Sequence, residues 1–252
     1  MTTVQDILYF LEQFAPYELA ESWDNVGLMT GDRCQPVDKV LCALDATEDV
    51  VAEAAEMGAQ RVVAHHPLIF TSVKAVTEDD AAGRTLRRAI KKDIAVICMH
   101  TNADCPEGGV NDALAAAIGL RDIVPMGAGE RGLLGRVGDL PRAMQPAEFA
   151  VYVKQALHAG GVRFTDGGRE ITRVAVGGGA CGKLMDFALE KGAQAFLIGD
   201  CSYDLMQRAR SLGLTLADAG HFPTENPVAN VCAGRIGAAF PELCARVAAV
   251  HR

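Results

Sequence analysis

The sequence Arg-Val-Val-Ala-His-His-Pro-Leu-Ile-Phe at residues 61–70 decides the fold, because an apolar run stops abruptly at two histidines and a proline. β-Branched and small apolar residues between a glycine-containing turn and a proline predict a buried strand of a parallel sheet. Open α/β sheets bind ligands at the carboxyl ends of such strands. Pro67 ends the strand and holds His66 extended, so that His65 and His66 can turn toward one crevice. Two neutral imidazoles suit a divalent metal, whereas the competing interpretation is one core histidine and one surface histidine.

Strand and helix patterns alternate on both sides of this stretch, which predicts an α/β fold. Thr47 suits a helix N-cap and Gly58 a helix end, so residues 39–66 are predicted to form a strand-helix-strand unit that delivers the two histidines. Elsewhere we predict strands at 94–99, 134–137, 162–164 and 171–176, and helices at 4–14, 79–92, 110–118, 146–158 and 225–240. The glycine-rich residues 125–135 predict a domain boundary.

Length, charge and cysteine usage exclude several classes of protein. A chain of 252 residues, 50% of them hydrophobic, can form one large or two small globular domains. The net charge of −8 argues against binding to nucleic acid. No apolar run approaches the length of a membrane span and no signal-peptide pattern is recognisable, so we expect a cytoplasmic protein without membrane contact. The eight cysteines form no Cys-x-x-Cys pair, which argues against a zinc ribbon and against a disulfide framework.

An internal repeat relates the two halves of the chain. Residues 57–66, Met-Gly-Ala-Gln-Arg-Val-Val-Ala-His-His, align with residues 191–200, Lys-Gly-Ala-Gln-Ala-Phe-Leu-Ile-Gly-Asp. The strands that precede these segments keep the same offset. The repeat therefore predicts two related α/β halves, of which the first has His65-His66 where the second has Gly199-Asp200.

The third strand of each half leads into a loop with an imidazole and a carboxylate. His100 and Asp104 follow the strand at 94–99, and His221 and Glu225 follow apolar residues 214–217. Together with His65-His66, three loops supply nitrogen and oxygen ligands without thiolate. Such a set suits zinc, manganese, iron or cobalt, and carboxylates can bridge two ions.

Two further stretches have competing interpretations. Trp23, the only tryptophan, lies in a glycine-punctuated loop at 21–32, and it is either a core residue or a stacking surface near the ligand pocket. Residues 177–183, Gly-Gly-Gly-Ala-Cys-Gly-Lys, match the start of a phosphate-binding loop, but Leu184 stands where the motif requires a hydroxyl. We interpret this stretch as a tightly packed turn between a strand and a helix, although its amides could hold an anion.

Four ordered motifs spread over nearly the whole chain resemble the Nif-three-like dinuclear metal-centre family, whose members are often named GTP cyclohydrolase 1 type 2 homologs. They are Trp-Asp-Asn-Val-Gly-Leu at 23–28, His-His-Pro-Leu-Ile-Phe at 65–70, His-Thr-Asn-Ala-Asp at 100–104 and Gly-His-Phe-Pro-Thr-Glu at 220–225. By this resemblance two divalent metal ions per subunit, of zinc, iron, manganese or cobalt, are bound by His65, His66, Asp104, His221 and Glu225. His100 matches a residue of the pocket beside them.

The resemblance also implies an architecture. Two related α/β domains with mixed or parallel sheets are expected, the second inserted into the first. We place the metal-binding domain at residues 1–127 plus 218–252 and the inserted domain at 128–217. The family's typical assembly implies a homohexameric toroid, a trimer of dimers.

The ligand set favours a metal-dependent hydrolase, and the resemblance implies one similar to GTP cyclohydrolase I type 2. Two divalent ions beside two carboxylates leave net positive charge, which favours an anionic small-molecule substrate such as a nucleotide. His100 is the candidate general acid or base. The alternatives are a metal-dependent phosphoesterase and a non-catalytic metal-binding or scaffold protein.

Overall fold

A computed structural model describes residues 1–128 and 133–250. Its α-helices are α1 (Val4–Phe14), α2 (Glu48–Met57), α3 (Ala81–Lys91), α4 (Thr101–Asp104), α5 (Val110–Ala117), α6 (Pro146–Ala156), α7 (Met185–Glu190), α8 (Tyr203–Ser211), α9 (His221–Glu225) and α10 (Pro227–Ala239). Its strands are β1 (Gly27–Thr30), β2 (Lys39–Asp45), β3 (Arg61–His66), β4 (Ala95–Cys98), β5 (Arg121–Ala128), β6 (Leu134–Met144), β7 (Arg163–Phe164), β8 (Ile171–Val176), β9 (Ala195–Ile198), β10 (Thr215–Asp218) and β11 (Cys244–Val247).

The chain divides into two compact units, and unit 2 is inserted in the sequence of unit 1. Unit 1 consists of Met1–Pro106 and the described part of Val228–Arg252, and unit 2 of Glu107–Pro227. Unit 2 therefore starts earlier and ends later than the predicted inserted domain at 128–217. It starts earlier because α5 contributes Leu114 to its core and β5 pairs with β6. Of the glycine-rich residues 125–135, residues 129–132 lie outside the described part of the chain.

Unit 1 contains a five-stranded sheet in the order β1-β4-β3-β2-β11. Strands β4, β3, β2 and β11 are parallel, and β1 is antiparallel to β4. The predicted strand-helix-strand unit is confirmed. Thr47 accepts a hydrogen bond from the amide of Val50 at the start of α2, and Gly58 ends the helix in the left-handed conformation with φ +69°. Strand β1 lies in the stretch for which the sequence predicted only a loop.

Unit 2 contains a six-stranded sheet in the order β5-β6-β8-β9-β10-β7. Its central strands β8, β9 and β10 are parallel, and β6 is antiparallel to both β5 and β8. Successive residues of β9 enter two different cores, because side chains alternate between the faces of a strand. Leu197 packs with residues of α5 and α6, whereas Phe196 packs with residues of α7 and α8. Helices thus cover both faces, which explains the uninterrupted apolar sequence of β9.

The predicted repeat is confirmed as a shared frame inside each unit. The parallel strands β2, β3 and β4 of unit 1 correspond to β8, β9 and β10 of unit 2. In both units the third parallel strand leads into a short helical turn, α4 or α9. Of the residues predicted to bind metal, Asp104 therefore follows the third strand of the first half, and His221 and Glu225 follow the equivalent strand of the second half.

Among the described residues, every helix is too short or too polar to span a bilayer.

Candidate metal centre

His65 and His66 are the last two residues of β3, and Pro67 ends the strand as predicted. The ring of His65 is buried, and its Nδ1 lies 2.8 Å from the carbonyl oxygen of Met99. Nδ1 of His66 lies 2.7 Å from Oδ1 of Asp45, the residue paired with it in β2. Because a carbonyl and a carboxylate accept hydrogen bonds, each Nδ1 carries the proton. In the neutral imidazole the lone pair is then on Nε2, the atom suited to bind a metal.

His100 is held by Asp24, a buried carboxylate of the loop before β1. Nδ1 of His100 donates to Oδ1 of Asp24 over 2.7 Å, and the amide and hydroxyl of Thr101 donate to Oδ2. Burial alone would raise the pKa of Asp24, but the hydrogen bonds from His100 and Thr101 outweigh it and lower this pKa to about 2. Asp24 is therefore ionised at neutral pH and fixes the tautomer of His100.

The three imidazoles of unit 1 form a compact cluster. Their ring centroids are separated by 5.1 Å for His65 and His66, 5.2 Å for His65 and His100, and 5.6 Å for His66 and His100. One ring nitrogen from each lies within 4.8 Å of the others. Oδ1 of Asp104 lies 3.8 Å from Nε2 of His65. Ring nitrogens this close to one another, with a carboxylate beside one of them, fit a divalent transition metal. The cluster includes His100, which was predicted to be a general acid or base and not a ligand.

Unit 2 brings together the other two predicted ligands. Nε2 of His221 lies 2.9 Å from Oε2 of Glu225 one helical turn later, and Glu225 is buried. Nδ1 of His221 donates to Oδ2 of Asp200 over 2.6 Å. Nε2 of His221 donates to the Glu225 carboxylate when the imidazole is protonated, and in the neutral imidazole the same nitrogen and oxygen are two metal-ligand atoms side by side. The pair fits a metal site.

The glycine-rich turn at 177–183 packs directly against this pair. The amide of Gly178 donates to the side chain of Asn111 over 3.0 Å, and the amide of Gly179 donates to the hydroxyl of Thr224 over 3.1 Å. A Cβ atom on Gly179 would overlap the Glu225 carboxylate and lie 2.9 Å from Nε2 of His221. The predicted tight packing is confirmed, and these two amides are not directed at an anion.

Comparison with known proteins identifies the family. A family model described as Duf34/NIF3 (NGG1p interacting factor 3) matches residues 2–251. The chain belongs to the Duf34/NIF3 family. A protein of Clostridium perfringens named GTP cyclohydrolase 1 type 2 homolog is 37% identical over 231 residues, covering 89% of this chain and 87% of the relative. A Streptomyces coelicolor protein of the same name is 37% identical over 237 residues, covering 90% and 83%. Among solved structures, a Bacillus cereus protein related to NIF3 matches with a TM-score of 0.89 and 26% identity, covering 98% of this chain and 97% of that one.

In this Duf34/NIF3 protein the aspartates that orient the histidines were not among the residues predicted from the sequence. Asp45, Asp24 and Asp200 accept the Nδ1 protons of His66, His100 and His221. For two of them a signal was present in the sequence. Asp45 ends the strand that precedes the histidine strand, and Asp200 aligns with His66 in the repeat. For Asp24 the signal was only its place beside Trp23 in a recognised motif.

Of the two interpretations left open for Trp23, the core position is excluded. Its side chain is 59% exposed, and its ring contacts the rings of Phe70 and His100 in edge-to-face geometry. The neighbouring Asp24 takes the inward position instead.

Asp200→Gly is expected to weaken the binding of zinc or manganese about tenfold to a hundredfold, because His221 loses the acceptor that fixes its tautomer. Glycine tolerates the positive φ of +52° at this position, so backbone strain is not added. Asp200→Asn retains an acceptor and should restore most of the affinity. The measurement is a titration against a competing chelator.

The matched control is Asp122→Gly, at an exposed aspartate with a similar φ of +50°. It should leave the affinity unchanged. An Asp200→Gly protein that binds metal as tightly as the unmodified chain would show that Asp200 does not orient a ligand.

Proposed function

We propose that this Duf34/NIF3 protein binds two divalent metal ions and hydrolyses an anionic, nucleotide-like small molecule. The proposed ligands are His65, His66 and Asp104 from unit 1 and His221 and Glu225 from unit 2. The observation that carries the proposal is the cluster of three imidazoles in unit 1, each with its Nδ1 proton committed to an oxygen acceptor. Core histidines have no need for such a shared orientation of their lone pairs.

The chemistry of the ligand set supports a hydrolase. When bound, a pair of divalent ions supplies positive charge and a means of activating water near neutral pH. Asp104 and Glu225 would neutralise half of that charge directly, whereas Asp24, Asp45 and Asp200 lie behind the imidazoles, so the cations would be the charges nearest to a substrate and favour an anionic one. His100 holds one proton on Nδ1 through Asp24, so Nε2 is the atom that would accept a proton from water or return it to a leaving group.

Metal analysis of two single variants tests the proposed ligands. His66→Ala and Glu225→Ala should each reduce the metal content of purified, zinc- or manganese-loaded protein by at least one ion per chain, because each removes a ligand. His158→Asn is the matched control, since His158 is exposed, and asparagine tolerates its φ of +52°. Unchanged metal content in both variants would refute the assignment.

Turnover by the metal-loaded protein tests the reaction. Opening of the guanine ring of GTP supports the cyclohydrolase-like reaction, and release of phosphate from generic phosphoesters without ring opening supports the phosphoesterase alternative. Full metal occupancy with neither activity would leave the non-catalytic alternative. His100→Gln should reduce whichever rate is observed on the order of a hundredfold or more, because it removes the proton acceptor while retaining a polar side chain.

A further inference from the structure

Asp218, the last residue of β10, is a buried carboxylate that accepts hydrogen bonds from two different loops of unit 2. Its Oδ2 accepts from the amide of Cys201, in the loop after β9, over 3.1 Å. Its Oδ1 accepts from the amide of Gly220, in the loop after β10, over 3.0 Å. The two amides belong to the residues next to Asp200 and His221, whose side chains form a hydrogen bond with each other. One carboxylate therefore joins the backbones that carry this hydrogen bond.

The same two loops pack so closely that a small shift of either would change the contact between Asp200 and His221. A Cβ atom on Gly199 would lie 2.8 Å from both the nitrogen and the Cα atom of His221. The amide of Ala219 donates to the carbonyl oxygen of Ile198 over 3.1 Å. The distance of 2.6 Å between Oδ2 of Asp200 and Nδ1 of His221 consequently depends on how the two loop backbones are held together.

Arg163 holds Asp218 from the edge of the sheet. It lies opposite Asp218 in the neighbouring strand β7. Its Nη2 donates to Oδ2 of Asp218 and, over 3.0 Å, to the carbonyl oxygen of Cys201. The guanidinium therefore compensates the charge of the buried carboxylate and fixes the loop after β9 a second time.

The equivalent position of unit 1 shows that the shared frame does not require a carboxylate here. Cys98 ends β4 opposite Ala64, as Asp218 ends β10 opposite Ile198. The thiol of Cys98 donates to the carbonyl oxygen of His65 over 3.0 Å. A buried carboxylate loses far more solvation free energy than a thiol does. The carboxylate of Asp218 is therefore better explained by the loops that it joins than by the sheet that it ends.

We propose that Asp218 is a positioning residue of the candidate metal centre. By joining the two loops it sets the distance and angle between Asp200 and His221, and so the direction of the Nε2 atom of His221. Partners behind a ligand tune metal affinity in this way without touching the ion. This inference rests on the metal binding proposed above.

A double-mutant cycle tests whether Asp218 acts through Asp200. Asp218→Asn leaves one side-chain acceptor oxygen for two amides, and we expect it to weaken zinc binding about tenfold. In the Asp200→Gly protein the same substitution should change zinc affinity by less than about twofold, because the contact that Asp218 positions is already absent. A merely structural role would reduce affinity by the same factor in both proteins. Zinc affinity is measured by competition with a chelator.

Arg163→Gln is a second variant that does not open the core, since the Arg163 side chain is 66% exposed. It should weaken zinc binding about fourfold in the unmodified chain and by less than about twofold in the Asp200→Gly protein. Asp139→Asn is the matched control, because Asp139 accepts from Arg173 over 2.9 Å within the same sheet. It should leave zinc affinity unchanged in both proteins.

Equal losses in the two proteins, or no loss with either Asp218→Asn or Arg163→Gln, would overturn the positioning role. If Asp218→Asn does not fold, the result for Arg163→Gln decides. The proposed function fails in a different way: an unmodified chain that takes up no zinc or manganese would contradict it, and this inference with it. A chain that binds zinc normally but shows equal losses would contradict the role of Asp218 alone.

Discussion

Gly179→Ala is expected to weaken metal binding by the His221 and Glu225 pair severely, which is the largest effect that we expect from one added methyl group. The added Cβ would overlap the Glu225 carboxylate, which is buried and cannot move aside freely. It would also lie 2.9 Å from Nε2 of His221, the nitrogen that would bind a cation. Backbone strain adds to these steric effects, because a φ of +63° is about 1–2 kcal/mol less favourable for alanine than for glycine. We expect metal affinity to fall on the order of a hundredfold or more, as measured by calorimetric titration.

Gly192→Ala separates the steric effect from the backbone strain. Gly192 has a similar φ of +75°, and a Cβ atom there meets no neighbouring atom within 4 Å. This variant should lose about 1–2 kcal/mol of stability and keep its affinity for metal. If both glycine variants bound metal equally well, the turn would have no part in the site.

Asp24→Asn is expected to lower the free energy of unfolding of metal-free protein by about 2 kcal/mol at pH 7, because the pKa of Asp24 is lowered from 3.8 to about 2 in the folded state. The side chain of asparagine has one acceptor oxygen, whereas His100, Thr101 and the amide of Asn25 donate to both carboxylate oxygens of Asp24. Since the folded pKa lies below the unfolded one, the stabilisation is complete above about pH 4. It is lost as the pH falls from about 4 toward 2.

Urea unfolding at near-neutral pH and at acidic pH measures this difference. The gap between the unmodified protein and Asp24→Asn should be nearly constant between about pH 6 and 8 and should shrink near pH 3. Asp38→Asn, at an exposed aspartate, should change stability by less than about 0.5 kcal/mol at either pH. A gap that widened on acidification would contradict the low pKa of Asp24.

The parallel core of each half could be predicted because its signals are local. The apolar run before His65, the cap at Thr47 and the glycine at 58 lie within one short segment. The repeat then transferred that frame to residues 171–218. Strand β1 was missed because four residues, Gly-Leu-Met-Thr, carry no periodic signal of their own. They become a strand only by pairing with β4, about 70 residues later in the chain.

The candidate ligands could be predicted, but most of what holds them could not. Histidines at strand ends are visible in a sequence, whereas the partner of each Nδ1 depends on contacts across the fold. His100 and Asp24 are separated by 76 residues, and no spacing rule relates them. The orientation of Trp23 was undecided for the same reason, because an aromatic residue in a loop satisfies a core or a surface equally well until its neighbours are placed.

The Nδ1 contacts of the four histidines reduce the side-chain entropy that would be lost when a cation binds. A histidine in an unstructured chain samples two tautomers and several side-chain rotamers, and a ligand must select one combination of them. In this protein the acceptors at Met99, Asp45, Asp24 and Asp200 make that selection while the chain folds. The entropy lost in ordering these side chains therefore hardly reduces the affinity for a cation. That entropy is lost during folding, and it is offset by the stability of the surrounding sheets.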